Sequence, residues 1–235
     1  MRLDSYLVEN CYFESRNRAQ EAIKSGLVCV DGRVVNKPSF KVSKENIEVT
    51  KQKFYVSRAA KKLEEYLKEY SINFKDAKVL DIGSSTGGFT QITLEAGARE
   101  VDCVDVGSNQ LHHSLRENPK VRVFEECDIR NFNGTNYDIV ISDVSFISLL
   151  KIVDSIDNLT NKGAIIVLLF KPQFEVGIGV KRNSKGVVQD KKAISRAKDA
   201  FLAKTKELGW KLLDNRESRI SGKEGNIEEF CTFTK

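Results

Sequence analysis

The chain has 235 residues, of which 40% are hydrophobic and 30% charged, and its formal net charge at pH 7 is +5. This size and balance predict a folded protein with one good core and a small additional module. No apolar run approaches the roughly 20 residues of a membrane-spanning helix, and the charged N-terminus does not resemble a signal peptide, so we expect a cytoplasmic protein. The five cysteines form no C-x-x-C pair and only two histidines are present, which argues against a metal site.

The positive charge is concentrated near the N-terminus. Residues 1–59 contain 11 Lys or Arg and 7 Asp or Glu, whereas residues 60–235 contain 27 and 26. A net charge of +4 on the short first segment, against +1 on the longer remainder, favours an anionic partner for the first segment. A basic surface without a partner is the alternative that charge alone leaves open.

Residues 1–50 predict two helices and a β-hairpin, which we interpret as a first domain. Leu3, Leu7 and Val8 have helical spacing, and a second helical pattern follows Ser15, a good N-cap residue. Asp31-Gly32, between two short β-rich runs, is a strong hairpin signal. The basic candidates for binding are Arg2, Arg16, Arg18, Lys24, Arg33, Lys37 and Lys41.

This segment resembles the S4 RNA-binding module. It contains RLDSYL near its start, SRNRAQEAIKSGLVCVDG in the middle and VNKPS afterwards, so the resemblance covers nearly all of residues 1–50. The resemblance implies that the basic residues bind the phosphate backbone of structured RNA. Such contacts position a protein without reading base sequence, and they weaken steeply as the salt concentration rises.

Residues 51–58 are interpreted as a linker and residues 59–235 as a second domain. A helix is predicted to open this domain, and its residues Leu63, Tyr66 and Tyr70 lie on one apolar stripe. From residue 78 onward, strand patterns alternate with helical patterns. This alternation indicates βαβ units in an α/β fold, a parallel sheet with helices on both faces. In such a sheet, ligands bind beyond the carboxyl ends of the strands.

The first three strand ends predict a site for an adenosine-containing cofactor. Asp81 ends the first strand, and a glycine-rich turn from Gly83 to Phe89 follows at the start of a helix. Asp105 ends the second strand, 22 residues after Gly83, where an acidic residue can bind ribose hydroxyls, and Asp128 follows the third. The turn is neither G-x-G-x-x-G nor a Walker A loop. NAD and S-adenosylmethionine are both compatible with this pattern.

The fourth and fifth strand ends carry an acid and a lysine. Asp143 ends YDIVISD, whereas Lys171 follows the apolar run IIVLLF and precedes Pro172. If the strands are neighbours, both side chains lie at one rim of the sheet. Methyl transfer to an alcohol needs such groups, because a ribose 2′-hydroxyl is hardly ionised at neutral pH. A lysine can stabilise the developing alkoxide or accept the proton, and a carboxylate can hold the lysine in position.

The order of the motifs resembles that in the TlyA family of rRNA 2′-O-methyltransferases. In this family an S4 module precedes an FtsJ-like, Rossmann-like methyltransferase domain. Its members often carry the name haemolysin. The motifs are DIGSSTGGF, VDVG, DVSFISL, KPQFE and GNIEEF, and the resemblance spans essentially all 235 residues. It implies a catalytic tetrad of Lys62, Asp143, Lys171 and Glu228. It also implies S-adenosyl-L-methionine as the cofactor, bound by Asp81, Gly83, Ser84, Gly87, Gly88, Phe89, Asp105, Val106, Asp128, Ile129 and Asp143.

Where the chain departs from the family pattern, other residues remain alternatives for the implied site residues. The chain has SRAAKKL where family members usually have SRGxxKL, so Lys61 is a rival to Lys62. It has VDVGSNQL in place of VDVGYGQL, and a contact made by a tyrosine at position 108 is therefore in doubt. Two acids follow GNI; their spacing from Gly225 favours Glu228, and strand alternation places Glu229 on the opposite face.

The expected function is S-adenosylmethionine-dependent 2′-O-methylation of a cytidine ribose in ribosomal RNA. The chain is short at both ends, and the short family form is associated with large-subunit RNA, so the resemblance implies 23S rather than 16S rRNA. The alternatives are a non-catalytic RNA-binding assembly factor, a membrane-active haemolysin and an NAD oxidoreductase. The expected partner is ribosomal RNA or a ribosomal subunit, and a monomer without membrane association is expected.

Overall fold

The computed structural model of the protein describes residues 1–50 and 53–235. The chain divides into two compact units, Met1–Phe54 and Tyr55–Lys235. This division falls within the predicted linker 51–58, of which residues 51 and 52 lie outside the described residues. Among the helices in the described part of the chain, none combines the length and apolar character that crossing a membrane requires.

The N-terminal unit consists of two helices and a small antiparallel sheet. Ser15 precedes the second helix, and its hydroxyl accepts a hydrogen bond from the Arg18 amide at 3.4 Å. Asp31 and Gly32 have φ values of 50° and 73°, as a type I′ turn requires, so the predicted hairpin is confirmed. A third strand, which we did not predict, pairs with the first. The elements are α1 (Leu3–Glu9), α2 (Arg16–Lys24), β1 (Val28–Val30), β2 (Arg33–Val34) and β3 (Ile47–Val49).

The C-terminal unit is built on one large sheet with helices on both faces. Its strands are β4 (Lys78–Ile82), β5 (Glu100–Val104), β6 (Val121–Phe124), β7 (Tyr137–Ser142), β8 (Thr160–Phe170), β9 (Lys211–Glu217) and β10 (Glu229–Thr234). Its helices are α3 (Arg58–Glu69), α4 (Gly88–Glu95), α5 (His113–Arg116), α6 (Val153–Leu159), α7 (Pro172–Glu175) and α8 (Lys191–Glu207). The strand order is β6-β5-β4-β7-β8-β10-β9.

The predicted α/β class is confirmed, with one difference at an edge of the sheet. Strands β4 to β8 are mutually parallel, as expected from the alternation of strand and helix. Strand β10 instead runs antiparallel between β8 and β9. The chain reaches β9 through α8 and then turns back, so that β10 fills the space beside β8. Antiparallel neighbours need no helical crossover, which is why the alternation of patterns did not reveal this pairing.

Strand β8 passes through the centre of the core and determines where Lys171 lies. Val167 and Leu169 pack in the cluster that contains residues of α3 and α4, whereas Leu168 and Phe170 pack in the cluster on the other face. Since side chains alternate along a strand, Lys171 continues the row of Val167 and Leu169. The lysine therefore emerges on the side of the sheet that α3 and α4 cover.

Candidate active site

Lys171 forms a buried ion pair with Asp143 at the carboxyl ends of β8 and β7. Its ammonium nitrogen lies 2.7 Å from Asp143 Oδ1, and only 6% of Lys171 is exposed. It also donates hydrogen bonds to the Ser145 hydroxyl at 2.9 Å and to the Asp143 carbonyl at 3.1 Å. The parallel pairing of Ser142 with Leu168 brings these two strand ends together. The structure thus places both predicted residues at one rim.

A second buried ion pair joins Lys62 of α3 to Glu228. The Lys62 ammonium donates to Glu228 Oε2 at 2.6 Å, and the Gln173 amide nitrogen donates to Oε1 at 3.1 Å. Glu228 precedes β10, in which Glu229 pairs with Phe170, so Glu228 lies at the same end of the sheet as Lys171. The fold therefore brings all four residues of the predicted tetrad to one region.

The two rival residues lie elsewhere. Lys61 is exposed, with its ammonium nitrogen 5.3 Å from the centroid of the Tyr55 ring. Glu229 forms an ion pair with Lys198 of α8. Neither rival shares the buried contact that joins Lys62 and Glu228. The sequence does contain a signal that favours Lys62 over Lys61. Lys62 lies four residues before Tyr66, which is buried, so the two side chains lie on the same face of α3.

The one-turn helix α7, which we did not predict, ties the segments around Lys171 together. Phe174 lies against Phe146, with ring centroids 5.1 Å apart. Glu175 accepts hydrogen bonds from the Ser148 hydroxyl at 2.6 Å and the Leu149 amide at 2.9 Å. Burial raises the pKa of the Glu175 carboxyl. Phe146 itself is 91% exposed and has a φ of +66°, an unusual conformation for a bulky residue and one found at functional loops.

The glycine-rich turn after β4 has a backbone that requires glycine. Gly83 has a φ of +75°, and a Cβ atom there would lie 3.0 Å from the Cα of Val144. Asp105 holds this turn, because its carboxylate accepts hydrogen bonds from the amides of Ser85 and Gly107, both at 2.8 Å. The predicted Gly87 and Gly88 serve packing: a Cβ on Gly88 would lie 2.7 Å from a backbone nitrogen of α3.

Two cavities that share several residues lie along this edge of the sheet. The larger, of about 510 Å³, is lined by the predicted residues Gly83, Asp105, Val106, Asp128, Ile129 and Asp143. The smaller, of about 380 Å³, is lined by the predicted Asp81, Gly83, Ser84, Phe89, Asp143 and Lys171. Ser57, Arg58 and Lys223 also line the smaller cavity and were not predicted. Ser57 and Arg58 lie before β4, and Lys223 lies in the loop before β10. These residues are far apart in the sequence, so no single motif contains them.

Asp81 is a buried carboxyl group with one unused oxygen. Its Oδ2 accepts a hydrogen bond from the Thr90 hydroxyl at 2.6 Å, whereas Oδ1 has no hydrogen-bond partner among the described residues. Burial, reinforced by the negative charge of Asp143, raises the pKa of Asp81 to about 7. An unpaired buried carboxyl beside a cavity suits a ligand with a positively charged group. Within the described residues, no group of three His, Cys, Asp or Glu side chains could hold a metal ion.

Asp128, which follows β6, forms an ion pair with Arg130. Hydrogen bonds from the Arg130 guanidinium, at 2.9 and 2.5 Å, lower the pKa of Asp128 to about 2.

In the N-terminal unit, all seven predicted RNA-binding residues are exposed. Arg2 and Arg16 also form ion pairs with buried Asp4, so they contribute to the fold of that unit as well.

The sheet, the glycine-rich turn and the lysine–carboxylate pairs define a Rossmann-like methyltransferase. The sequence model of the FtsJ-like methyltransferase family matches residues 55–235, and that of the S4 domain matches residues 1–47. The 23S rRNA (cytidine-2′-O)-methyltransferase TlyA of Campylobacter jejuni is 43% identical over 256 aligned residues, with 100% of both chains covered. The 16S/23S rRNA (cytidine-2′-O)-methyltransferase TlyA of Mycobacterium tuberculosis is 37% identical, covering 97% of this chain and 88% of its own.

Other relatives carry haemolysin names. Hemolysin A of Brachyspira hyodysenteriae is 37% identical, with 99% of each chain covered. A solved structure of a protein from Streptococcus thermophilus, named as a hemolysin, superposes with a TM-score of 0.73 at 33% identity, covering 100% of this chain and 88% of the other. The chain belongs to the TlyA family of FtsJ-like methyltransferases, as the sequence motifs predicted.

Proposed function

We propose that the protein transfers a methyl group from S-adenosylmethionine to the 2′-oxygen of a cytidine in ribosomal RNA. The observation that carries this proposal is the buried Lys171–Asp143 pair beside two cavities at the strand ends. The substrate class is supported by the names of the relatives from Campylobacter jejuni and Mycobacterium tuberculosis. Full-length similarity to the former, at 43% identity, supports 23S rRNA as the target.

The residues that line the cavities fit S-adenosylmethionine. The unused Asp81 oxygen would accept the ammonium group of the cofactor. The buried Ser57 hydroxyl, which has no hydrogen-bond partner among the described residues, would bind the cofactor carboxylate together with Lys223. Asp105 would bind the ribose hydroxyls, and Asp128 would accept a hydrogen bond from the adenine amine. The cofactor supplies an electrophilic methyl group on its sulfonium sulfur.

Lys171 would act on the ribose oxygen that receives the methyl group. Asp143 and Ser145 hold its ammonium in one position. No reorganisation would therefore be needed when negative charge develops on the 2′-oxygen as its proton passes to solvent water. The Lys62–Glu228 pair would supply a second positive charge on the same side of the sheet. Two fixed cations thus favour the ionised form of an alcohol that is hardly ionised in water.

RNA would be bound by two kinds of surface. In the N-terminal unit, exposed Arg and Lys side chains suit phosphate groups, and their contacts would weaken steeply with salt. In the C-terminal unit, exposed Phe146 offers a ring face near Lys171 on which a nucleobase can stack. The first surface would hold the RNA, and the second would steady the target nucleotide.

The test is mass spectrometric mapping of rRNA from cells with and without the protein. We expect one 2′-O-methylcytidine in 23S rRNA that disappears with the protein and returns when it is supplied again. A 16S site alone would revise the target, whereas an unchanged pattern of methylation in both RNAs would overturn the proposed function.

A further inference from the structure

Gln173 links the two buried ion pairs of the site. It lies two residues after Lys171, in α7, and its side chain reaches the carboxylate that pairs with Lys62. We propose that Gln173 is a positioning residue, which holds the Glu228 carboxylate in the orientation that keeps the Lys62 ammonium in place. This inference rests on the proposed methyl transfer.

The Glu228 carboxylate is confined on both oxygens. Oε2 accepts from Lys62 at 2.6 Å and Oε1 from the Gln173 amide nitrogen at 3.1 Å, and only 2% of Glu228 is exposed. Gly222 lies against the same oxygen, since a Cβ atom there would be 2.6 Å from Oε1. On the Oε1 side, Gly222 and the Gln173 amide donor therefore restrict how this carboxylate rotates.

The Gln173 amide can adopt only one orientation in this contact. If it were reversed, its oxygen would face the carboxylate oxygen, and two acceptors would oppose each other. In the observed orientation, the amide oxygen is buried and has no hydrogen-bond partner among the described residues. The contact with Glu228 therefore determines which way the amide points.

The chemical consequence concerns the reaction step rather than substrate binding. Without the amide donor, Glu228 can rotate away from Lys62, and the second cation of the site loses its fixed position. A catalytic group misplaced by a fraction of an ångström to an ångström slows the chemical step considerably. Gln173 contacts Oε1 of Glu228 whereas Lys62 contacts Oε2, and Gln173 is not among the residues that line the two cavities described above. RNA and cofactor affinity should therefore change little.

The test compares Gln173→Leu, which keeps the size of the side chain but removes the donor, with the control Gln189→Leu, the same change at an exposed position. In the full-length protein, we expect kcat for RNA methylation to fall roughly 10-fold in Gln173→Leu, with KM for RNA and the Tm nearly unchanged. In a Glu228→Ala background, Gln173→Leu should have no further effect. An undiminished kcat in Gln173→Leu, or the same 10-fold loss in the Glu228→Ala background, would overturn the inference.

A crystal structure of Gln173→Leu provides a readout that does not depend on activity. We expect the distance between Lys62 Nζ and Glu228 Oε2 to lengthen from 2.6 Å to beyond ion-pair contact. An intact pair in the variant would refute the positioning role. If the wild-type protein transferred no methyl group, the proposed function would fail, and this distance would still decide the role of Gln173. Gln173→Met replaces Gln173→Leu in both measurements if the branched side chain prevents folding.

Discussion

Two buried aspartates, one in each unit, have opposite environments. Asp4 in the N-terminal unit is fully buried and accepts hydrogen bonds from Arg2 at 2.9 Å, Arg16 at 3.0 Å and Gln20 at 2.8 Å. The Arg2 guanidinium in particular holds the pKa of Asp4 well below its usual range. Its carboxylate is fully used inside the unit, and we interpret it as structural.

Asp81 in the C-terminal unit is equally buried, but among the described residues it has a single side-chain donor, the Thr90 hydroxyl. Its pKa is raised to about 7, first by burial and then by the charge of Asp143. This contrast supports the proposal that the unused Oδ1 of Asp81 receives a positively charged group of the cofactor.

The largest effect should come from Lys171→Met, which removes the cation at the rim while keeping an unbranched side chain. We expect kcat for RNA methylation to fall about 1000-fold, because the charge that stabilises the developing alkoxide is lost. Cofactor affinity, measured by calorimetry, should stay within a few-fold of wild type. Lys162→Met, at the exposed opposite end of the same strand, is the control. Comparable activity in Lys171→Met and the control would refute the role of Lys171.

Asp81→Asn should weaken S-adenosylmethionine binding about 10- to 100-fold, because a charge-assisted hydrogen bond to the cofactor ammonium is lost. Calorimetry measures this change, and Asp76→Asn, an exposed change of the same type, is the control. Wild-type affinity in Asp81→Asn would contradict the ligand role.

The same variant should change how stability depends on pH in the absence of cofactor. Because the folded-state pKa of Asp81 is raised to about 7, its contribution to stability is present below about pH 4 and is lost as pH rises to 7. This contribution is on the order of 4 kcal/mol. Denaturant unfolding between pH 4 and 7 should therefore show a flatter dependence in Asp81→Asn than in wild type. Equal slopes would show that Asp81 is ionised in the free protein.

Asp4→Asn should have the opposite pH signature and affect only the N-terminal unit. The lowered pKa means that its stabilisation is present above about pH 4 and is lost as pH falls below that value. At pH 7 we expect a loss of about 1–2 kcal/mol, a modest value because Arg2 and Arg16 are half-exposed. Hydrogen exchange of amides in α1 and α2 measures it, with Glu21→Gln as an exposed control. Unchanged protection would show that Asp4 is dispensable.

The smallest effect is expected for Glu175→Ala. Both oxygens of the Glu175 carboxyl accept hydrogen bonds within the protein, as those of Asp4 do, but Glu175 lies beside the candidate site. Its two hydrogen bonds hold the loop that carries Phe146, so KM for RNA should rise about 5-fold while cofactor affinity stays constant. Glu217→Ala, an exposed change in β9, is the control. A weakened cofactor affinity in Glu175→Ala would contradict this prediction and would indicate that Glu175, like Asp81, contributes to cofactor binding.

The sequence predicted the main fold because the parallel strands and their helices have clear periodicity. Strand β3 and helix α7 were missed because three or four residues contain too little of a repeat. The antiparallel insertion of β10 was missed because an apolar pattern does not encode strand direction.

In the candidate site, the strand ends alone identified the residues that directly follow a strand, but not those that other contacts bring there. Lys171 and Asp143 follow their strands directly, so adjacency of the strands was enough to bring them together. Gln173 reaches Glu228, 55 positions away, across the β8–β10 pairing, and no local pattern reports that contact. Ser57 and Arg58 likewise acquire their place only when α3 packs on the sheet.

The most direct measurement is transfer of an isotope-labelled methyl group from S-adenosylmethionine to unmethylated 23S rRNA by the purified protein, followed by digestion to nucleosides. We predict that the label appears in 2′-O-methylcytidine with the wild-type protein and is absent with Lys171→Met at saturating cofactor. Label on a base atom, or undiminished labelling of the ribose by Lys171→Met, would contradict the role assigned to the strand-end rim.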